Sequence, residues 1–436
     1  MGFGVKAGKM PFHICLPIAH PKAPSNISAL MSGVMLKTAI YGLVRVIFGF
    51  LLAGSAPSPL WWGLLVLGLG AVSALLGVLY SLMEHDLKIL LAYHSIENIG
   101  IILLGIGAAV LFSSIGLQSF AAIALFAALF HTLNHALFKS LLFSGAGAVI
   151  HSAHTRNIDE LGGLAKRMPI VAALFFIGAA SIAALPPLNG FASEWLTFSA
   201  LLGGLGSPGT VSLASAAAML FLALTSAFAV AAFVKAFGIT FLGAPRSQHV
   251  KGAADPSASM LAGMALLALA CILAGIFPGA VAQAVSPVLS QLGMGGAPVI
   301  EAAAASLPAL GIFIALLAIG AAACLFIFFL RIIFRRVQES GPTWDCGIHE
   351  PDGGMQYSAK GFTMPIIRAF DFLVSPLGRA DASGHMLFEA MVYAPLQRAF
   401  LWMSPWSRKL HTGKLVDYLL YLLVTLVAVI SYAILG

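Results

Sequence analysis

The sequence is short of charge. Asp, Glu, Lys and Arg make up only 9% of its 436 residues, against roughly 25% in ordinary soluble domains. So few charges cannot cover the surface of a water-soluble fold, which excludes a globular cytosolic enzyme. Cysteine is also scarce. Cys15, Cys271, Cys324 and Cys346 are scattered without paired spacing, which argues against a disulfide framework and against a four-ligand zinc site. Cys346 and His349 resemble half of such a site, with no second pair to complete it. There is no Gly-rich phosphate loop, no flavin motif and no iron–sulfur cysteine set. The chain is therefore expected to hold no redox cofactor of its own. Alternating strands of about ten residues are missing too, which argues against a membrane β-barrel.

What the sequence has is apolar length. Hydrophobic residues make up 60% of it, and the mean hydropathy is +0.98. Runs long enough to span a bilayer fall at about 27–50, 60–82, 89–112, 119–149, 169–203, 211–242, 259–280, 307–330 and 415–435, with 1–14 as a partial tenth. The fold class is thus an all-α polytopic membrane protein with about ten transmembrane helices. The pattern divides it into a core over 1–280, a further helix with an outer loop over 281–330, a polar segment over 331–413 and a last helix over 414–436. Gly2–Lys6 reads as helix interior rather than as a secretory signal.

The net charge of +7 is distributed in loops of one parity, which assigns it to one side of a membrane rather than to nucleic acid. Lys9, Lys22, Lys88, Arg156, Lys166, Arg167, Arg246, Lys251, Arg331, Arg335, Arg336, Arg408 and Lys409 lie on that side, and loops of the other parity (51–59, 113–118, 204–210, 281–306) carry no Lys or Arg. The positive-inside rule makes the basic side, with the 331–413 loop, cytoplasmic and puts the C-terminus outside. Within that loop, residues 385–402 fit an amphipathic interfacial helix or a plain surface loop equally well.

Two segments do not read as simple helices. The first holds Pro11, Pro17 and Pro24, and 169–203 is interrupted by Leu185–Gly190. Breaks of this kind at membrane depth occur where protein or a water-filled cavity satisfies the freed backbone, and they recur at transporter ion sites.

Ionisable residues inside the spans carry the functional signal, since each costs ~2.5–3.5 kcal/mol at the bilayer centre even on the lenient insertion scale. Lys37 is ten residues into its helix, too deep to be an interfacial anchor. His131, His135 and Lys139 follow one another at four-residue spacing along one helix face. They fit a proton relay, with polar glue between helices as the bland alternative. Metal binding by the two histidines is disfavoured because no glutamate follows the first. Glu194 follows the second break and suits proton exchange or pairing with a lysine. Lys235 is either functional or snorkels to the interface. Lys88 with Glu84 and Asp86 reads as an interfacial charge cluster, and Asp159 and Glu160 as solvated loop residues. The depth of Lys6 is not fixed by its surroundings.

These residues lie in motifs that resemble the antiporter-like subunits of respiratory complex I, Mrp-type cation/proton antiporters and membrane-bound hydrogenases. The motifs are Gly4–His13 running on to Leu16–Pro21 and Ala23–Ser25, then Leu36–Gly42, Asp86–Ser95, His131–Lys139 and Pro187–Glu194. The resemblance implies two discontinuous helices. It makes Lys6 the lysine of the first broken helix, places Lys37, His131, His135 and Lys139 on a central hydrophilic axis, and makes Glu194 the terminal exit position. Lys88 and Lys235 are possible accessories. Thr343–Gly347 and Met355–Ser358 are similar to the large subunit of hydrogenase 4 and formate hydrogenlyase.

Family members have fourteen core helices in two inverted repeats. This chain matches from the seventh helix, so the first repeat is expected to be lost from a fragment or carried by a separate polypeptide. The implied function is proton translocation in the inner membrane, driven by electron transfer in partners. Those partners are other membrane subunits and peripheral redox subunits, and the latter would hold the iron–sulfur and nickel–iron centres. The alternatives are a subunit of a Mrp-type sodium/proton antiporter and a non-transporting anchor.

Overall fold

The computed structural model of the chain describes residues 2–52, 60–207, 209–294, 309–333, 355–370 and 393–435. They are helical, with no strands among the described residues beyond one isolated bridge between Asp86 and Asn157. In chain order the helices are α1 (Gly2–Ala7), α2 (Cys15–Lys22), α3 (Ser25–Phe50), α4 (Leu60–Met83), α5 (Leu87–Ser114), α6 (Gln118–Ala153), α7 (Pro169–Ile182), α8 (Asn189–Gly204), α9 (Thr210–Phe241), α10 (Ala258–Ile276), α11 (Pro278–Gln291), α12 (Ala309–Ile333), α13 (Ala359–Ala369), α14 (Ala394–Leu410) and α15 (Leu415–Leu435). Six of these, α3, α4, α5, α6, α9 and α10, are long and apolar enough to cross a membrane, and shorter apolar helices fall at Pro169–Ile182, Ala318–Leu330 and Leu415–Ser431.

The chain divides after Asp371 into two compact units. In the first, α5 is the hub. It is buried along almost its whole length, with α4, α6 and α2 packed around it. The α4–α5 seam is built of glycine. A Cβ on Gly63 would lie 2.6 Å from the Leu111 nitrogen, one on Gly70 2.7 Å from the Leu104 nitrogen, and one on Gly77 2.6 Å from the Glu97 nitrogen. From the α5 side, Gly100 and Gly107 meet the backbone of Ala74 and Leu67. The five glycines repeat every seven residues on each helix, so the backbones touch along one stripe, as small residues permit in membranes. In the second unit, Lys409 lies over Trp406, 5.1 Å from the ring centroid, and the Thr412 hydroxyl donates to Asp417 at 2.5 Å ahead of α15.

α1 and α2 are separate helices, as are α7 and α8. α1 and α2 are separated at residues 8–14, where the Met10 amide donates to Ser73 Oγ on α4 at 3.0 Å. α7 and α8 are separated at 183–188. α7 starts at Pro169, a residue suited to the first turn, and the Asp255 carboxylate accepts from the Val171 amide at 3.1 Å. α3 contains a π segment at Met31–Met35 and ends in a second, Ile47–Leu51.

The connections of the basic parity gather at one end of the first unit. Leu87 N donates to Arg156 O at 3.0 Å and Gly163 N to Leu242 O at 2.9 Å. Arg246 donates to Tyr357 O at 2.9 Å, and Ala359 N to Asp159 at 2.7 Å.

Three expectations need correction. Residues 281–306 are not wholly loop, because Pro278 starts α11, which runs to Gln291. Part of the 331–413 segment is not loop, since Ala359–Ala369 form α13 and residues 355–370 belong to the first unit, bonded within it through Gln356, Tyr357 and Ala359. Asp159 is not simply solvated, because it also binds His85 at 2.8 Å. Of the suggested interfacial helix at 385–402, residues 394–402 lie in α14, while 385–392, Thr343–Gly347, Cys346 and His349 fall outside the described residues.

The glycine seam yields a prediction. Gly77→Leu should lower stability by at least ~1–3 kcal/mol through overpacking, read as a lower unfolding temperature in detergent. Val72→Leu, on the exposed side of the same helix, should leave that temperature unchanged.

Candidate functional site

The titratable residues of the spans converge on α5 and α6. On α6, residues four apart share a face, yet each of the three singled out reaches a different partner. Lys139, fully buried, donates from Nζ to the Leu91 carbonyl of α5 at 2.5 Å, and its ammonium lies 5.8 Å from the Phe143 ring centroid. His135 meets Lys37 of α3, Nδ1 to Nζ at 3.1 Å. His131 turns away from both: its Nε2 pairs with Asn98 Oδ1 at 3.1 Å and its Nδ1 with Ser193 Oγ at 2.9 Å. The expected row is thus one face with three separate contacts.

Lys37 also donates to the Ser32 carbonyl at 2.5 Å. Ser32 lies in the first π segment of α3, where the backbone ladder is locally displaced. Local sequence therefore supplies the acceptor that holds the lysine. Beside it, Ser32 Oγ and Ser95 Oγ are 2.9 Å apart, linking α3 to α5.

The second break is anchored to the same cluster. Asn134 of α6 donates to the Asn189 carbonyl at 2.7 Å and to Ser193 Oγ at 3.0 Å. The start of α8 is thereby fixed to the helix that carries the histidines. Glu194, one residue further, is buried and accepts from Ser226 of α9 at 2.6 Å.

Reading the residues singly missed the carboxylate at the centre. Glu97, on α5, is 1% exposed and bound to His94 Nδ1, within electrostatic reach of Lys139 and Glu194. Its signal was present: an acid midway along the apolar run 89–112 demands the explanation that Lys37 received. Asn98, Asn134 and Ser193 were missed because uncharged polar residues are common in membrane helices as interhelical contacts.

Three candidates differ from their sequence reading. Lys6 is exposed on the last turn of α1 and stands apart from the cluster. Lys88 is buried and donates to the Ala23 carbonyl, at the end of α2, at 2.6 Å. Asp86 instead accepts from the first turn of α5 and pairs with Arg156, so the interfacial cluster is two separate contacts. Lys235 does not snorkel. It is fully buried and donates to the carbonyls of Leu82 at 2.6 Å, Glu84 at 2.8 Å and Ser81 at 3.4 Å. Those carbonyls lie at the end of α4, where they lack intrahelical partners.

Glu84 sits beyond the end of α4, in the connection to α5. Burial pushes its carboxyl up to about 7; Lys235 opposes the shift and Asp86 adds to it. Ionisation therefore costs the fold stability. The contribution is full below the ordinary value of 4.5 and is lost as pH rises through about 7. The unfolding temperature should accordingly fall between those limits, and Glu84→Gln should flatten the slope. Differential scanning fluorimetry in detergent checks both. Among the described residues no group of three His, Cys, Asp or Glu is arranged to hold a metal ion.

Residues 1–221 match the family described as NADH:quinone oxidoreductase/Mrp antiporter, transmembrane. The chain is 52% identical over 274 residues to Hydrogenase-4 component B of Escherichia coli (strain K12), an alignment covering 62% of this chain and 40% of that protein. It is 38% identical over 373 residues to formate hydrogenlyase subunit 3 of the same organism, covering 85% and 59%. The chain therefore spans about half the length of these relatives. Among solved structures it is similar to a chain of the membrane-bound sulfane sulfur reductase, an archaeal respiratory membrane complex, with TM-score 0.67 and 24% identity over 98% of this chain and 67% of that one.

Proposed function

The chain belongs to the NADH:quinone oxidoreductase/Mrp antiporter transmembrane family, and on that premise we propose that it is the proton-translocating membrane subunit of a respiratory-type oxidoreductase complex of the hydrogenase 4 and formate hydrogenlyase kind. The observation that carries the reading is the set formed by buried His135, Lys139 and Glu97 with half-buried Lys37, drawn together from three helices. These charges are close enough to act on one another. Two unit charges 4 Å apart interact by ~4 kcal/mol at an effective dielectric of 20, so a proton gained at one group changes the occupancy of the next. His131, Asn134 and Ser193 tie this set to the second break, beyond which Glu194 serves as the terminal group. Lys6 would belong to the same path through the first break, and Lys88 and Lys235 would be accessory groups.

In this reading α1 with α2, and α7 with α8, each cross the membrane once as an interrupted helix, which gives about ten spans. The basic end of the bundle faces the cytoplasm, the end of α15 lies outside, and the membrane is the cell inner membrane. Electron transfer takes place in peripheral partner subunits, where iron–sulfur and nickel–iron centres reside, and other membrane subunits complete the complex. A sodium/proton antiporter subunit would use the same buried groups. The match to a formate hydrogenlyase subunit over 85% of the chain, well past the family core, favours the redox-linked assembly. Redox subunits in the purified complex support that assignment, whereas small antiporter subunits alone would reverse it.

Lys139→Ala should abolish redox-coupled proton uptake in proteoliposomes while the complex still assembles. Uptake at the wild-type rate would remove the basis of the proposal.

A further inference from the structure

Away from the titratable cluster, an apolar groove of about 310 Å³ runs between α7 and α9. Phe176, Ala180 and Ala183 line it from the α7 side and Val234, Gly238 and Leu242 from the α9 side, and the remaining lining residues are apolar as well. The absence of a side chain at Gly238 helps to make the space, since a Cβ built there meets nothing within 4 Å. The groove is open to its surroundings, because Phe176, Val234 and Leu242 are each about half exposed. Phe176 and Phe237 bridge its two sides, with ring centroids 5.2 Å apart.

Its inner end is the second break, where α7 stops at Ile182 and the lining continues through Ala183 and Leu185. Its outer end is Leu242, the residue that follows the last turn of α9. Along α9 the lining extends from Val230 to Leu242, about 18 Å at the rise of an α-helix. Half of a ~30 Å hydrocarbon core is ~15 Å, so the groove is as deep as one leaflet.

The outer end is basic. The Leu242 carbonyl accepts from Gly163 N at 2.9 Å, and Lys166 N donates to the Gly163 carbonyl at 3.2 Å. Lys166 and Arg167 are thereby held within one turn of the end of the groove, and both are exposed. Among the described residues neither side chain is hydrogen-bonded or ion-paired. The acids of the same end are engaged elsewhere: Asp159 with His85 and Ala359, Glu160 with Thr155 and Asn157, and Asp255 with the amides of Ile170 and Val171. Two unpaired cations above an apolar slot have the polarity of a site for an anionic lipid, and basic pockets between membrane helices take such head groups.

We propose that the α7–α9 groove binds one anionic phospholipid of the adjacent leaflet, with an acyl chain along the groove and the phosphate at Lys166 and Arg167. The space is too slender for a partner helix, which is ~10–12 Å across with its side chains, and it suits a single chain. A neutral lipid would fill the slot but give the two cations no net counter-charge. The end of the acyl chain lies against Ala183 and Leu185, so the lipid braces the second break from the membrane side. The site does not depend on Lys139 being a translocating group.

The test is native mass spectrometry of the complex purified in detergent, stripped of lipid and titrated with phosphatidylglycerol or with phosphatidylcholine of the same chains. The wild type should hold one phosphatidylglycerol at least about tenfold more tightly than phosphatidylcholine, as two basic groups near a head group allow. Lys166→Gln combined with Arg167→Gln should erase that preference and leave phosphatidylcholine binding unchanged. Gly238→Leu, which fills the groove, should weaken both lipids at least about tenfold, the effect of two displaced CH2 groups. Equal lipid binding by wild type and Gly238→Leu would overturn the site, and equal affinity of the wild type for the two lipids would overturn its anionic character. Loss of a membrane subunit from Gly238→Leu, with lipid binding intact, would make the groove a helix-docking face and also reject the proposal. Should Gly238→Leu fail to fold, Val234→Trp at an exposed lining position decides by the same measurement.

Discussion

An ammonium group taken out of water must be solvated by something else, and in this protein the backbone provides most of that solvation. Lys37 binds the Ser32 carbonyl, Lys88 that of Ala23, Lys139 that of Leu91, and Lys235 those of Leu82 and Glu84. Hydrogen bonds to charged groups contribute ~1.5–3 kcal/mol, comparable to the ~2.5–3.5 kcal/mol cost of placing a lysine at mid-membrane. Three of the four lysines find a carbonyl where a helix is imperfect: at the end of α2, at the end of α4 and in the π segment of α3. Irregularities of the helices and buried charges therefore depend on each other. A perfect helix would offer fewer acceptors, and a neutral side chain would leave the existing ones unmet.

The same constraint organises the fold around α5. This helix is buried along almost its whole length, yet it carries His94, Ser95, Glu97 and Asn98 within five residues. Glu97 binds His94, and the other three point to different neighbours, so α4, α3 and α6 each meet a polar group on it through Ser81, Ser32 and His131 respectively. α8 joins through Ser193 and Asn134 rather than by touching α5's charges directly. A polar network thus threads an interior that is otherwise apolar.

That a polar contact is needed was legible in the sequence, and partnership was not. Lys37, Lys139 and Glu194 stand in long apolar runs, and the structure buries Lys139 and Glu194 and half-buries Lys37. Which groups meet is decided by helices distant in the chain, as with Lys37 and His135, 98 positions apart. Lys235 shows the limit clearly. Near the end of a helix, snorkelling and burial predict the same sequence, and only the end of α4 packed against it separates the two. The surroundings of Lys6 were not legible for another reason, because a six-residue helix carries too little periodicity to assign its faces. Glu97 was readable by the argument already applied to Lys37. Several connections that carry the basic residues also touch one another in the first unit.

The stripe of glycines between α4 and α5 also determines where Glu97 is held. Because Gly77 brings the α4 backbone against the main chain of Glu97 itself, the register of the two helices sets where that carboxylate stands. A side chain added at Gly77 would displace Glu97 first, and with it the contact to His94 and the distance to Lys139.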